Sequence, residues 1–87
     1  MEIIFKSGAL EDIEFWKQSG NKKIQSRIND LLLSLSKNPE RGIGKPRKLK
    51  GNLAGYWSRR INDEHRIVYK IEYQEKIISI FSLKGHY

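Results

Sequence analysis

The chain predicts an α+β fold, an antiparallel sheet packed against two N-terminal helices in the order β-α-α-β-β-β. Three observations carry this. A short β-rich segment opens the chain, one apolar stripe at helical spacing runs through residues 24–35, and three segments rich in Ile, Val, Tyr and Phe occupy residues 56–83, separated by short polar turns. At 87 residues the chain is read as one domain, 1–87, with a single modest core.

Residues 2–6 contain Ile3, Ile4 and Phe5 and alternate weakly, which predicts a short strand. Ser7 follows as a helix N-cap, with Glu11 and Asp12 in the early turns, where the helix dipole favours anions. Leu10, Ile13 and Trp16 are expected to form the inner face. Ser19-Gly20-Asn21 breaks this helix and supplies Asn21 as the next N-cap. In the second helix Ile24, Ile28, Leu31, Leu32 and Leu35 form one stripe, while Lys22, Lys23, Gln25, Arg27 and Asp30 take the wet side. Asn38-Pro39 ends it, because the residue before proline disfavours the helical region. Residues 40–55 hold four of the seven glycines, Pro46 and the basic run from Lys45 to Lys50, which predicts an irregular loop with a short extended piece. Strands are expected at 56–61, 64–72 and 76–83. Short links near Asn62-Asp63 and Tyr73-Gln74-Glu75 make both junctions hairpins.

Composition narrows the function. There is no cysteine, which excludes disulfide staples and thiolate metal sites, and two histidines alone are too few for a zinc centre. The segment Gly42-Ile43-Gly44-Lys45-Pro46 is too short and wrongly placed for a phosphate-binding P-loop. No apolar run approaches the roughly 20 residues of a membrane span. The opening residues lack a signal-peptide pattern, so a soluble, cytoplasmic protein without cofactor, metal or membrane contact is expected. Seventeen Lys and Arg against ten Asp and Glu give a formal net charge of +7. Such a surplus either keeps a small protein soluble or binds a polyanion through counterion release. Distribution favours the second reading. Lys45, Arg47, Lys48, Lys50, Arg59, Arg60, Arg66, Lys84 and His86 all follow residue 44, where strands of one meander can gather them. Arg60 and Arg66 flank one hairpin and are placed to meet across it. Tyr56, Trp57, Tyr69 and Tyr87 interleave with these cations, as platforms for unstacked RNA bases or as core residues. His86 carries the side chain best matched to proton transfer near neutral pH.

Several stretches taken together resemble the YoeB/Txe toxins of the RelE superfamily. They are Gly44-Lys45-Pro46, the block from Leu49 through Asn52-Leu53 and Gly55-Tyr56-Trp57-Ser58-Arg59-Arg60-Ile61-Asn62, then Glu64-His65-Arg66-Ile67-Val68-Tyr69, and the terminal His86-Tyr87. The helical half matches by pattern, including Lys23 to Leu32. The resemblance implies a RelE-like fold and a toxin of a type II toxin–antitoxin pair, neutralised by a Phd/YefM-type antitoxin. It also implies an endoribonuclease that enters the ribosomal A site and cuts messenger RNA there, and it suggests homodimers. By position, His86 looks like the general acid for the leaving 5′ oxygen and Arg66 like the stabiliser of charge on the scissile phosphate. Lys50, Arg60 and Tyr87 look like phosphate and active-site contacts, with Arg59 and Lys48 beside them as substrate-binding residues. One position departs from the family pattern: Arg47 stands where the family has its general-base Glu. A guanidinium offers donors and no acceptor, so it cannot take a proton from a 2′ hydroxyl. Three explanations compete: an attenuated toxin, a mechanism in which Lys48 or Lys50 serves as base, or a carboxylate such as Glu40 or Glu64 reaching in. Reduced activity is the expectation. A non-enzymatic toxin that binds the ribosome, or gyrase as ParE relatives do, is the alternative.

Overall fold

A computed structural model describes residues 1–85. The elements are β1 (Glu2–Phe5), α1 (Ser7–Ser19), α2 (Lys22–Lys37), β2 (Arg47–Lys48), a 3-10 turn (Gly51–Leu53), β3 (Trp57–Arg60), β4 (Arg66–Glu72) and β5 (Ile77–Ser82). The five strands form one sheet in the order β1-β5-β4-β3-β2. The α+β class and both expected hairpins are present, since β3, β4 and β5 pair antiparallel in sequence. The sheet is nonetheless mixed. β1 pairs parallel to β5, with Ile3 opposite Ile78 and Phe5 opposite Ile80. A tight hairpin forces antiparallel pairing, but β1 has no hairpin partner, and the two helices that follow it form a crossover long enough for either direction. The extended piece expected within residues 40–55 is β2, which adds an edge strand beside β3.

Helix α2 follows its stripe. Ile24, Ile28, Leu31 and Leu35 are buried, and Leu32 packs at their margin. The Asn21 side chain caps it by accepting the Ile24 backbone N–H at 3.1 Å. In α1 two expectations are corrected. Lys6, not Ser7, is the N-cap and no side chain caps the helix. The Lys6 N–H continues the sheet ladder to Ile80 O at 2.9 Å, so the extended chain runs up to the helix start and Ser7 is already helical. Leu10 is 55% exposed, because Ala9 and Trp16, two turns apart, set the buried face and Leu10 lies about 100° away from Ala9. Both helices cover one face of the sheet, where Ile67, Tyr69, Ile71, Ile78 and Ile80 meet them. Full burial of a Leu or Ile side chain stabilises by about 1.5–3 kcal/mol, so this apolar layer dominates folding.

One residue of that face is charged. Arg59, expected at the substrate, is 0% exposed and points toward the helices. All five guanidinium donors are used. Nε donates to the Tyr69 hydroxyl, Nη1 to Ser34 Oγ and Ile43 O, and Nη2 to Asn38 O and Arg41 O, at 2.6–3.2 Å. Strand alternation explains the correction: Trp57 and Arg59 share the inner face, whereas Ser58 and Arg60 share the outer one. Tyr69 remains a neutral phenol. Burial raises its pKa above the ordinary value, outweighing the opposing hydrogen bond and charge of Arg59, and its hydroxyl donates in turn to Pro39 O at 2.7 Å. The knot also requires glycine at position 42, where φ is 129° and a Cβ would lie 2.2 Å from Ser34 Oγ.

Replacing Arg59 with Met removes every donor and strands buried carbonyls, and we expect a loss of about 3–5 kcal/mol in urea unfolding. Arg59→Lys, with three donors for five acceptors, should recover little of it. An unchanged urea midpoint for Arg59→Met would show that the knot does not stabilise the fold.

Candidate functional site

The outer face of the sheet, opposite the helices, gathers cations. Arg47 lies opposite Ser58 across β2 and β3, and Arg60 lies directly opposite Arg66 across β3 and β4. With Lys45 these residues line a concavity of about 340 Å³; among the described residues its wall has four cations, one hydroxyl and no carboxylate. Like charges facing each other across strands repel, which an anion between them relieves. Among the described residues the one ion pair is Arg60–Asp63 at 3.1 Å, and Asp63 is fully exposed there, so it offsets little. Arg66 is steered by the hairpin turn. Its Nη1 donates to Asn62 O at 2.6 Å, His65 O at 3.1 Å and Asp63 O at 3.3 Å.

Lys45 reaches this wall through an uncommon backbone. Gly44 has φ 85° and Lys45 φ 51°, the left-handed region that non-glycine residues rarely adopt. Gly44 O accepts the Arg60 N–H, while a Cβ at Gly44 would come within 2.6 Å of Leu31 Cδ2. The loop is thus pressed between α2 and β3 and turns out toward the cations at Lys45.

The concavity brings together Arg47, Arg60 and Arg66 of the sequence-predicted residues. It leaves others elsewhere. Arg59 is inside the fold. Lys48 pairs with Trp57 on the face opposite to Arg47, with its Nζ 5.8 Å from the Trp57 ring centre. Lys50 is exposed at the start of the 3-10 turn and does not line the concavity. His86 and Tyr87 lie outside the described residues. Lys45, counted from the sequence among the clustered cations but given no role of its own, also lines it, and Ser58 was not assigned at all, although its place two residues before Arg60 in a strand was the available signal. Among the aromatic candidates, Trp57 and Tyr69 stack in the inner layer at 6.4 Å, while Tyr56 sits on the outer face against Phe81 with Lys70 Nζ 5.8 Å away. Neither replacement carboxylate lines the site. Glu40 accepts the Tyr73 hydroxyl at 2.7 Å, beyond the end of β4 remote from Arg66, and Glu64 is exposed in the turn.

The description "YoeB-like toxin of bacterial type II toxin-antitoxin system" matches residues 5–87. The chain belongs to this toxin family. A Synechocystis protein named Toxin YoeB is 46% identical over 87 residues, covering 100% of this chain and 98% of that one. Among solved structures, the YoeB/ParE toxin from Agrobacterium tumefaciens superposes with a TM-score of 0.91 at 38% identity, each chain fully covered. A Staphylococcus aureus YoeB in complex with YefM superposes with a TM-score of 0.85 at 49% identity over 100% of this chain and 98% of that one, and the same toxin is also known as a dimer. In this chain the YoeB-like fold carries the four-cation concavity described above. No helix of the described residues is long and apolar enough to cross a membrane.

If the concavity holds phosphates, neutralising Arg47 or Arg66 to Gln should flatten the salt dependence of single-stranded RNA binding by roughly 0.7 in log–log slope for each phosphate no longer neutralised. Lys48→Gln, on the other face, should leave it unchanged. Fluorescence anisotropy across a NaCl series checks this, and equal slopes for all four proteins would remove the phosphate assignment.

Proposed function

We propose that this YoeB-family toxin is a ribosome-dependent endoribonuclease that cuts messenger RNA in the A site. Arg47, in the place of the family's general-base Glu, slows it. The observation that carries the reading is the cation concavity, free of carboxylates among the described residues, with Gly85 tied beside it. Arg66 N–H donates to Gly85 O at 2.8 Å, so Gly85, which precedes His86 in the sequence, lies beside the residue assigned to the scissile phosphate.

In the reaction the 2′ oxygen attacks the adjacent phosphorus and the bond to the 5′ oxygen breaks. A 2′,3′-cyclic phosphate and a 5′ hydroxyl result. Arg66, with Arg60 and Lys45, stabilises the added negative charge on the phosphoryl oxygens. His86 donates the proton to the leaving 5′ oxygen, and Tyr87 and Lys50 contact the substrate around it. Among the described residues the wall of the concavity offers the 2′ proton no basic side chain, only the Ser58 hydroxyl, and Arg47 supplies none. That absence supports attenuation over a replacement carboxylate. It is also the observation that favours a second reading, a toxin that occupies the ribosome without cutting. By analogy with the S. aureus pair, the partners are a YefM-type antitoxin and a second copy of the chain, and the site of action is the cytoplasm, with its ribosomes.

Primer extension on translated message tests this. Restoring the acceptor with Arg47→Glu should raise the cleavage rate by roughly 100-fold, the scale of a general base, and His86→Gln should lower it by a similar factor. Equal rates for the native chain and Arg47→Glu would overturn the attenuation. Ribosomes stalled on intact message with every variant would overturn the nuclease and leave the binder.

A further inference from the structure

Leu83 and Gly85 are tied into the fold by four hydrogen bonds. Leu83 N–H donates to Asp12 Oδ2 at 2.8 Å, and Leu83 O accepts from Trp16 Nε1 at 2.8 Å. Gly85 O accepts from Arg66 N–H at 2.8 Å, and Gly85 N–H donates to His65 Nδ1 at 2.9 Å. Both backbone polar groups of Leu83 and of Gly85 are therefore bonded, from α1, from the turn before β4 and from β4 itself. Gly85 adopts φ 81°, which redirects the chain at this point and suits glycine.

His65 is the residue that joins this latch to the cation site. Its ring stands edge-to-face on Trp16, with centres 4.9 Å apart and an interplanar angle of 81°, so the imidazole is braced by a buried indole that is itself part of the latch. Accepting at Nδ1 requires a lone pair there and places the proton of the neutral ring on Nε2. At the other end of the same residue, His65 O accepts from Arg66 Nη1 at 3.1 Å and from Ile61 N–H at 2.9 Å. Its own N–H donates to Asn62 Oδ1 at 2.8 Å. His65 does not line the concavity. Its backbone steers the Arg66 guanidinium and its ring fixes Gly85.

We infer that His65 is a positioning residue: through Nδ1 and the Gly85 amide it sets the register between the Arg66 guanidinium and Gly85. The inference rests on the reading of His86 as the general acid. A misplacement of about 1 Å between an acid and its phosphate can lower a rate by roughly 100-fold while leaving binding to the rest of the substrate intact. The predicted signature is a fall in kcat without a matching change in KM.

Two variants separate the hydrogen bond from the packing. In His65→Asn the side-chain Oδ1 occupies the place of Nδ1 and keeps an acceptor. In His65→Phe the ring on Trp16 is kept and the acceptor is lost. Cleavage of ribosome-bound message is measured in the native chain and in the Arg47→Glu background, together with hydrogen exchange of the Gly85 amide. His65→Phe should lose about ten-fold or more in kcat with KM nearly constant, and its Gly85 amide should exchange about ten-fold faster. His65→Asn should stay within about three-fold of the parent in both, a rescue that loss of packing alone does not permit. A His65→Phe protein with parental kcat, or an equal fall in both variants, would overturn the positioning role. A parent that cuts nothing in either background overturns the nuclease reading instead. The latch is then decided by Gly85 exchange alone, where equal protection in all three proteins would overturn it.

Discussion

A buried guanidinium organises this small fold. Arg59 sits on the inner face of the sheet with no solvent exposure, and its five acceptors are all neutral oxygens. One of them, Asn38 O, belongs to the C-cap of α2, where the aligned peptide dipoles concentrate partial negative charge, and two more, Arg41 O and Ile43 O, come from the loop that follows. The arrangement satisfies a desolvated cation without a carboxylate and ties three separate segments to one side chain. The C-terminal end of α2, the loop that follows it and β4, through the Tyr69 hydroxyl, meet there. Because an unsatisfied buried charge is so unfavourable, the loop has few alternatives to the path it takes.

That path decides what the outer face can do. Held down at Ile43 and pressed between Leu31 and β3 at Gly44, the chain emerges in a left-handed turn that delivers Lys45 and then enters β2 with Arg47 opposite Ser58. Two consecutive arginines of β3 thereby take opposite roles. Arg59 anchors the loop from below, and Arg60 joins the cations that the loop brings above. The inner knot and the outer concavity are two faces of the same strand, so the charge that stabilises the fold also places the charge available to a ligand.

The chemistry of the concavity is lopsided. It offers donors and positive charge in excess, and among the described residues its wall contains no proton acceptor beyond the Ser58 hydroxyl. A site of this kind holds and polarises a phosphodiester better than it starts the reaction. The latch at Leu83 and Gly85 adds the complementary feature, since Asp12, Trp16, His65 and Arg66 hold these two residues, Gly85 at the margin of the cations. Helix α1, which contributes nothing to the concavity itself, acts on it through Leu83.

Local patterns were legible from the sequence wherever a short-range rule decides the outcome. The stripe of α2, the Asn21 cap, both hairpins and the pairing of Arg60 with Arg66 follow from side-chain periodicity and turn length, and each appears as expected. The family motif likewise marked Arg47, Arg60 and Arg66. What the sequence could not decide were the choices that depend on distant partners. The parallel pairing of β1 with β5 joins the two ends of the chain. Leu10 turned outward because Trp16 found Leu83, and Arg59 turned inward because Ser34, Asn38 and Arg41 could solvate it. Lys48 and Arg47 are neighbours on opposite faces once β2 is paired. In sequence each of these cations reads alike. Only the tertiary structure sorts them, because whether a charge faces water, a ligand or buried carbonyls is set by which oxygens the rest of the chain brings within about 3 Å of it.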